Sequence, residues 1–292
     1  MTVLTRAEGT QPGDLDLSRR AIATLFFSGY ALAAVSANAE PIHTDESGLV
    51  TAEVMIPEAG QPDLPAYVAR PAAKGRHPTI LVVSEVFGIH EYIRDTCRRL
   101  AKLGYVAIAP AFFHRAGDPA PLTDMGAVMK IVATATNAQV MGDIAATLAW
   151  LKAQAFVNAG RLGVTGFCWG GGVTWMACET FTEFKAGVAW YGHMEVPAKP
   201  SMSDPDRKYP IQLVDQLHAP VLGLYGGQDK GIPATITDAM RAELKAKHKP
   251  GEIVVYPDAQ HGFHADYRPS YNAAAAEDGW KRLKAWFKSH GV

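Results

Sequence analysis

Five residues, Gly166-Phe167-Cys168-Trp169-Gly170, carry the strongest chemical signal in the chain. A short apolar run, Arg161 to Thr165, precedes them, and Gly171 to Ala177 follows with the composition of a helix. A nucleophile between flanking glycines sits in a strained strand-to-helix turn, and neighbours without a Cβ let the two elements approach closely. Here the nucleophile is a cysteine. At the start of a helix, unpaired N–H groups and the helix dipole favour its thiolate. In isolation, the same five residues equally describe a glycine-rich turn around an inert buried cysteine. Chemistry requires two further groups: a histidine within reach of the sulfur and a carboxylate behind that histidine.

The candidates are Asp229, in Gly226-Gly227-Gln228-Asp229, and His261, in His261-Gly262-Phe263. Each alone has a plain structural explanation. Asp229 could be a turn former or helix cap, and His261 is one of ten histidines. Taken with Cys168, however, they follow three separate predicted strands, at the carboxyl ends where sites gather in open α/β sheets. Their order along the chain is nucleophile, acid, histidine, one of the orders in which such triads occur. His264 lies close enough in sequence to suggest a metal pair, but no further ligand group accompanies it, and neither metal nor organic cofactor is expected. Cys97 and Cys178 read as packing cysteines within helices.

The elements that must position these groups alternate between strand and helix. Thr79-Ile80-Leu81-Val82-Val83 is a continuous apolar run suited to a central parallel strand. Further strands are predicted at 105–109, 161–165, 186–190, 221–225 and 252–256, and 50–56 with 66–70 reads as a hairpin. Helices are predicted at 91–103, 124–136, 138–154, 235–248 and 273–290, with one directly after Cys168. Residues 111–122 and 193–209 are rich in turn formers and charged residues and read as loops, the second as a surface loop or a lid. This alternation predicts an α/β fold: a mostly parallel sheet with helices on both faces.

The 292 residues suit one large α/β domain, and a hydrophobic content of 48% is ample for a core. A net charge of −1 gives no electrostatic case for nucleic acid. The first 39 residues differ from the rest. Ser18-Arg19-Arg20 precedes an apolar run from Ala21 to Ala37, which ends in Ala37-Asn38-Ala39. That layout predicts a twin-arginine-type export signal and a periplasmic domain from residue 40 to 292. A retained amino-terminal helix on a cytoplasmic protein is the alternative. The run is marginal as a membrane span, and no stable span is expected.

The segments Glu85-Val86-Phe87-Gly88, Gly166 to Gly171, Tyr191-Gly192, Gly226 to Asp229 and His261-Gly262-Phe263 together resemble the dienelactone hydrolase family of α/β-hydrolases. The resemblance runs from about Ala66 to the carboxyl end. It implies Cys168 as nucleophile, His261 as base and acid, and Asp229 as its orienter. It also implies that Glu85 contacts the resting thiol, and that the backbone N–H groups of Val86 and Trp169 form an oxyanion hole. Arg115 matches a family arginine that holds a substrate carboxylate, while a solvated loop arginine is the alternative. A second family arginine has its place where this chain has His264-Ala265, and Arg268 is the candidate to replace it. Trp190 and Tyr191 complete the substrate-binding residues so implied. The expected activity is hydrolysis of a small ester or lactone through an acyl-enzyme on Cys168. Peptide or acyl-peptide hydrolysis on the same fold, and a non-catalytic binding scaffold, are the alternatives.

Overall fold

The structure, a computed structural model, describes residues 42–195 and 207–292. The expected export signal, and positions 196–206 of the expected loop, lie outside the described residues.

Eight strands form one sheet: β1 (Leu49–Ile56), β2 (Leu64–Pro71), β3 (His77–Val83), β4 (Val106–Pro110), β5 (Val157–Phe167), β6 (Phe184–Trp190), β7 (Val221–Gly226) and β8 (Gly251–Tyr256). Their order is β1-β2-β4-β3-β5-β6-β7-β8. The predicted hairpin is present, with Leu49 opposite Pro71 and Ile56 opposite Leu64. β2 also runs antiparallel to β4, and every pairing from β4 through β3 to β8 is parallel. This is the α/β-hydrolase fold.

Among the described residues, six α-helices cover the sheet: α1 (Glu91–Lys102), α2 (Met125–Val132), α3 (Asn137–Lys152), α4 (Trp169–Thr180), α5 (Ala234–Ala246) and α6 (Ala273–Ser289). The strands alternate their side chains between two cores. In β3, Leu81 and Val83 join a cluster with α2, α3, α4 and α5, while Ile80 and Val82 join one with α1 and α6. Parallel strands buried on both faces are apolar throughout, which is why these runs were legible.

Two boundaries differ from the sequence expectation. β5 begins at Val157 rather than 161, because Val157 pairs with His77 while Gly160 and Arg161 lie exposed where the register shifts. The helix predicted over 124–136 ends at Val132. Asp124 caps its start through the N–H groups of Gly126 and Ala127, and Thr136 caps α3 by accepting from the Gln139 N–H. Two caps so close together leave room only for a turn between the helices.

One buried group in this scaffold has no compensation. Glu179, near the end of α4, is 1% exposed, and neither carboxyl oxygen has a hydrogen-bond partner. Burial, with a smaller contribution from Asp215, pushes its carboxyl up to about 9. The folded chain therefore holds a proton that the unfolded chain releases near pH 4.5. Stability from this group is full below that value and falls as pH rises toward 9. Glu179→Gln, measured by thermal melts, is expected to raise Tm by several degrees at pH 8. It should leave Tm almost unchanged at pH 4, where the acid is protonated in both states.

Candidate active site

β5 and α4 meet at Cys168, which has φ 57° and ψ −117°. A non-glycine residue at that backbone angle is strained and persists only where its surroundings hold it. Here the Cys168 N–H donates to the Trp190 carbonyl at 3.0 Å, and the Gly171 N–H donates to the Cys168 carbonyl at 3.0 Å. Any side chain on Gly166 would overlap the Gly170 carbonyl, and one on Gly170 would overlap the carbonyls of Val83 and Ser84. The flanking glycines thus let α4 start directly against the ends of β3 and β5. Cys168 is fully buried, in the core on the α1 and α6 side, while its neighbour Trp169 belongs to the opposite core.

Asp229 follows β7 and His261 follows β8. His261 Nδ1 donates to Asp229 Oδ2 at 2.7 Å. The other carboxylate oxygen accepts from the N–H groups of Gly231 and Ile232 at 2.8 and 3.1 Å. These bonds fix the carboxylate and leave one oxygen for the imidazole. Burial disfavours the Asp229 charge, yet His261 and these N–H groups outweigh it and hold the carboxyl below its usual range. Burial would likewise lower the His261 pKa. The Asp229 carboxylate, hydrogen-bonded to the ring, and beyond it the Cys168 sulfur raise it instead to about 10. The structure thus pairs His261 with Asp229 directly, and the Cys168 sulfur lies within electrostatic reach of the imidazole. The imidazole is oriented from behind by the carboxylate.

The oxyanion-hole candidates lie where the turn after β3 meets the first turn of α4. Trp169 is the first residue of α4, so its N–H has no intrahelical acceptor. Val86 follows Glu85 in a turn closed by the Gly88 N–H donating to the Glu85 carbonyl at 3.2 Å.

The other expected residues are placed differently. Glu85 is fully buried, but its carboxylate is committed elsewhere than to the thiol. Arg268 Nη2 lies 2.9 Å from Oε1, the Tyr267 hydroxyl donates to Oε2 at 2.6 Å, and His90 Nε2 is 3.5 Å from Oε2. Burial opposes its charge, and Arg268, His90 and Tyr267 together hold the carboxyl down at about 2. Arg268, expected near substrate, is the buried counter-charge of Glu85, with its guanidinium over the rings of Phe87 and Tyr267. Arg115 pairs with Asp143, at 2.9 and 3.1 Å, and with Glu58. Those three line an open cleft with Pro57, Gln139 and Ala146, and neither Cys168 nor His261 is part of it.

Trp190 is core rather than pocket wall. It is fully buried, its indole N–H donates to Thr165 Oγ1 at 3.2 Å, and its ring stacks on Phe167. Tyr191 has φ 39° and presents its ring edge to the His261 imidazole, 5.2 Å between centroids. It supports the histidine from the side. His264 accepts from the Tyr92 hydroxyl at 2.6 Å and packs among Phe167, Trp190 and Trp280. Among the described residues no group of three or more potential ligands is placed to hold a metal. Sequence reasoning missed Tyr267 and His90, the two further groups on Glu85. The only available signal was the pair Tyr267-Arg268, whose neighbouring polar groups turn out to serve one carboxylate.

Removing one partner of a buried ion pair strands the other. Arg268→Gln is expected to cost about 3–5 kcal/mol in urea unfolding, because Glu85 is left buried and charged. Adding Glu85→Gln to that variant should recover more than half of the loss.

A model of the dienelactone hydrolase family matches residues 64–291. A protein of Methylorubrum extorquens, provisionally named carboxymethylenebutenolidase, is 48% identical over 279 residues, covering 94% of each chain. A protein of Escherichia coli K12 with the same provisional name is 44% identical over 272 residues, covering 92% of this chain and 98% of its own. The crystal structure of a provisionally named dienelactone hydrolase from Klebsiella pneumoniae superposes with a TM-score of 0.77 at 44% identity, covering 82% of this chain and 98% of that one. The chain belongs to the dienelactone hydrolase family.

Proposed function

We propose that this protein hydrolyses ester or lactone bonds through an acyl-enzyme on Cys168. The single observation that carries the reading is the buried His261–Asp229 hydrogen bond at 2.7 Å, with the strained Cys168 turn of the same site within electrostatic reach of the ring. The names of the relatives, carboxymethylenebutenolidase and dienelactone hydrolase, point to the same bond class.

The geometry supports the following course. In its neutral form His261 takes the thiol proton at Nε2, and Asp229 stabilises the resulting imidazolium at Nδ1. The thiolate attacks the carbonyl carbon and forms a C–S bond, while the carbonyl π electrons move onto oxygen. Backbone N–H groups of Val86 and Trp169 receive that oxyanion, in a buried setting where such donors are most effective. The intermediate collapses, the C–O bond breaks, and His261 returns its proton to the leaving oxygen. In a lactone that oxygen stays tethered to the acyl group. Water then gives a proton to His261 and attacks the thioester carbon, and the C–S bond breaks. The carboxylic acid leaves and the thiol is restored. Tyr191 holds the imidazole against sideways motion through its ring edge.

Cys168→Ala, assayed on 4-nitrophenyl esters and an enol lactone, should lower kcat/KM by about a thousandfold or more. Unchanged turnover would remove Cys168 from the reaction. Cys168→Ser separates the sulfur from the shape of the pocket, since a hydroxyl is far less acidic. It is expected to fold normally and to acylate more slowly.

A further inference from the structure

Cys168 and His261 sit on separate segments, the turn between β5 and α4 and the loop after β8, so one must be fixed against the other. The Ala265 N–H donates to the Gly262 carbonyl at 2.9 Å, which closes residues 262–265 into a turn directly after His261. His264 belongs to that turn, is buried, and lays its ring against the other segment. It stacks on Phe167, the residue before Cys168, with centroids 5.4 Å apart and planes 25° apart. It also meets the ring of Trp190, 4.4 Å between centroids. The Trp190 carbonyl is the acceptor of the Cys168 N–H. One imidazole thus touches both residues that hold the backbone of the nucleophile.

A ring on a loop turns over unless something holds it. Tyr92, on α1, holds this one: its buried hydroxyl donates to His264 Nδ1 at 2.6 Å. Burial and the Arg99 charge push His264 down to about 3, and burial raises the Tyr92 phenol well above its usual range. At neutral pH the ring therefore stays an acceptor and the hydroxyl stays a donor. Two helical turns further along the same face of α1, Arg99 Nη2 meets Asp266 Oδ2 at 2.5 Å. α1 grips the His261 loop at both points, and the first of them also bears on the Cys168 turn.

We propose that His264 is a positioning residue: held by Tyr92 and wedged against Phe167 and Trp190, it sets the approach of the His261 imidazole to the Cys168 sulfur. The proposal deepens the function proposed above and rests on Cys168 and His261 acting together there. It gives His264 no contact with substrate, and its effect passes through His261. Such a wedge matters because a displacement of about 1 Å between reacting groups costs on the order of a hundredfold in rate.

The test joins ester kinetics to a direct probe of the sulfur. Tyr92→Phe removes the donor, and His264→Phe removes the acceptor while keeping a ring in the stack. Each should lower kcat on 4-nitrophenyl acetate by about tenfold or more and leave KM within about twofold. The double variant should be no worse than the poorer single, because the same bond is lost in all three. Alkylation of Cys168 by iodoacetamide, located by mass spectrometry, should slow by about the same factor as kcat. His261→Gln should itself slow alkylation, and adding Tyr92→Phe to it should change the rate no further. An unchanged kcat in Tyr92→Phe, which keeps the native shape almost entirely, overturns the proposal. So does a rise in KM alone, or faster alkylation, the mark of a core that has merely loosened and admitted the reagent. If esters are not hydrolysed, or their hydrolysis survives Cys168→Ala, the hydrolase reading fails, and the alkylation rates still decide whether His264 acts through His261.

Discussion

The structure depends on one close approach: the backbone of α4's first turn against the ends of β3 and β5. Nothing larger than glycine fits at 166 or 170. This contact holds the Cys168 backbone in its unfavourable conformation and brings the turn carrying Glu85 and Val86 to the same place. With ordinary side chains at those positions, helix and sheet would separate by the thickness of a methyl group or more. The sulfur, the imidazole and the backbone donors would then no longer share one crevice. The parallel strands supply the rest, since their carboxyl ends all open on one edge and each loop there delivers one group.

A second constraint is how burial is compensated. Three carboxyl groups deep in this fold meet different fates. Asp229 keeps its charge because an imidazole and two N–H groups surround it. Glu85 keeps its charge because a guanidinium, a hydroxyl and a histidine surround it. Glu179 has no such partners and keeps its proton. Position along the chain does not distinguish them. What distinguishes them is the number of donors the surrounding backbone and side chains can aim at each oxygen.

The same distinction explains what could be read from the residues alone. The strands were legible because parallel strands buried on both sides must be apolar throughout, as in Thr79 to Val83. The candidate site was legible because Cys168, Asp229 and His261 follow three such strands, each beside glycines that a tight turn needs. The partners of Glu85 and Arg115 were not legible. Arg268 and Glu85 are far apart in sequence, and nothing local marks either as the other's counter-charge. Arg115 meets Glu58 and Asp143 only because the β1–β2 turn and α3 converge in space. Trp190 was misplaced for a related reason. A residue at the end of a strand beside the site can face either side of the sheet, and its indole points into the core against Thr165.

The helix that begins at the sulfur ends beside an un-ionised acid, so one rigid rod joins the sulfur to a group that strong base would leave charged and unpaired. Deprotonating Glu179 loosens the far end of that rod without changing any group at the near end. A decline in turnover in basic solution would then record the melting of a support, although plotted against pH it would look like the titration of a catalytic group.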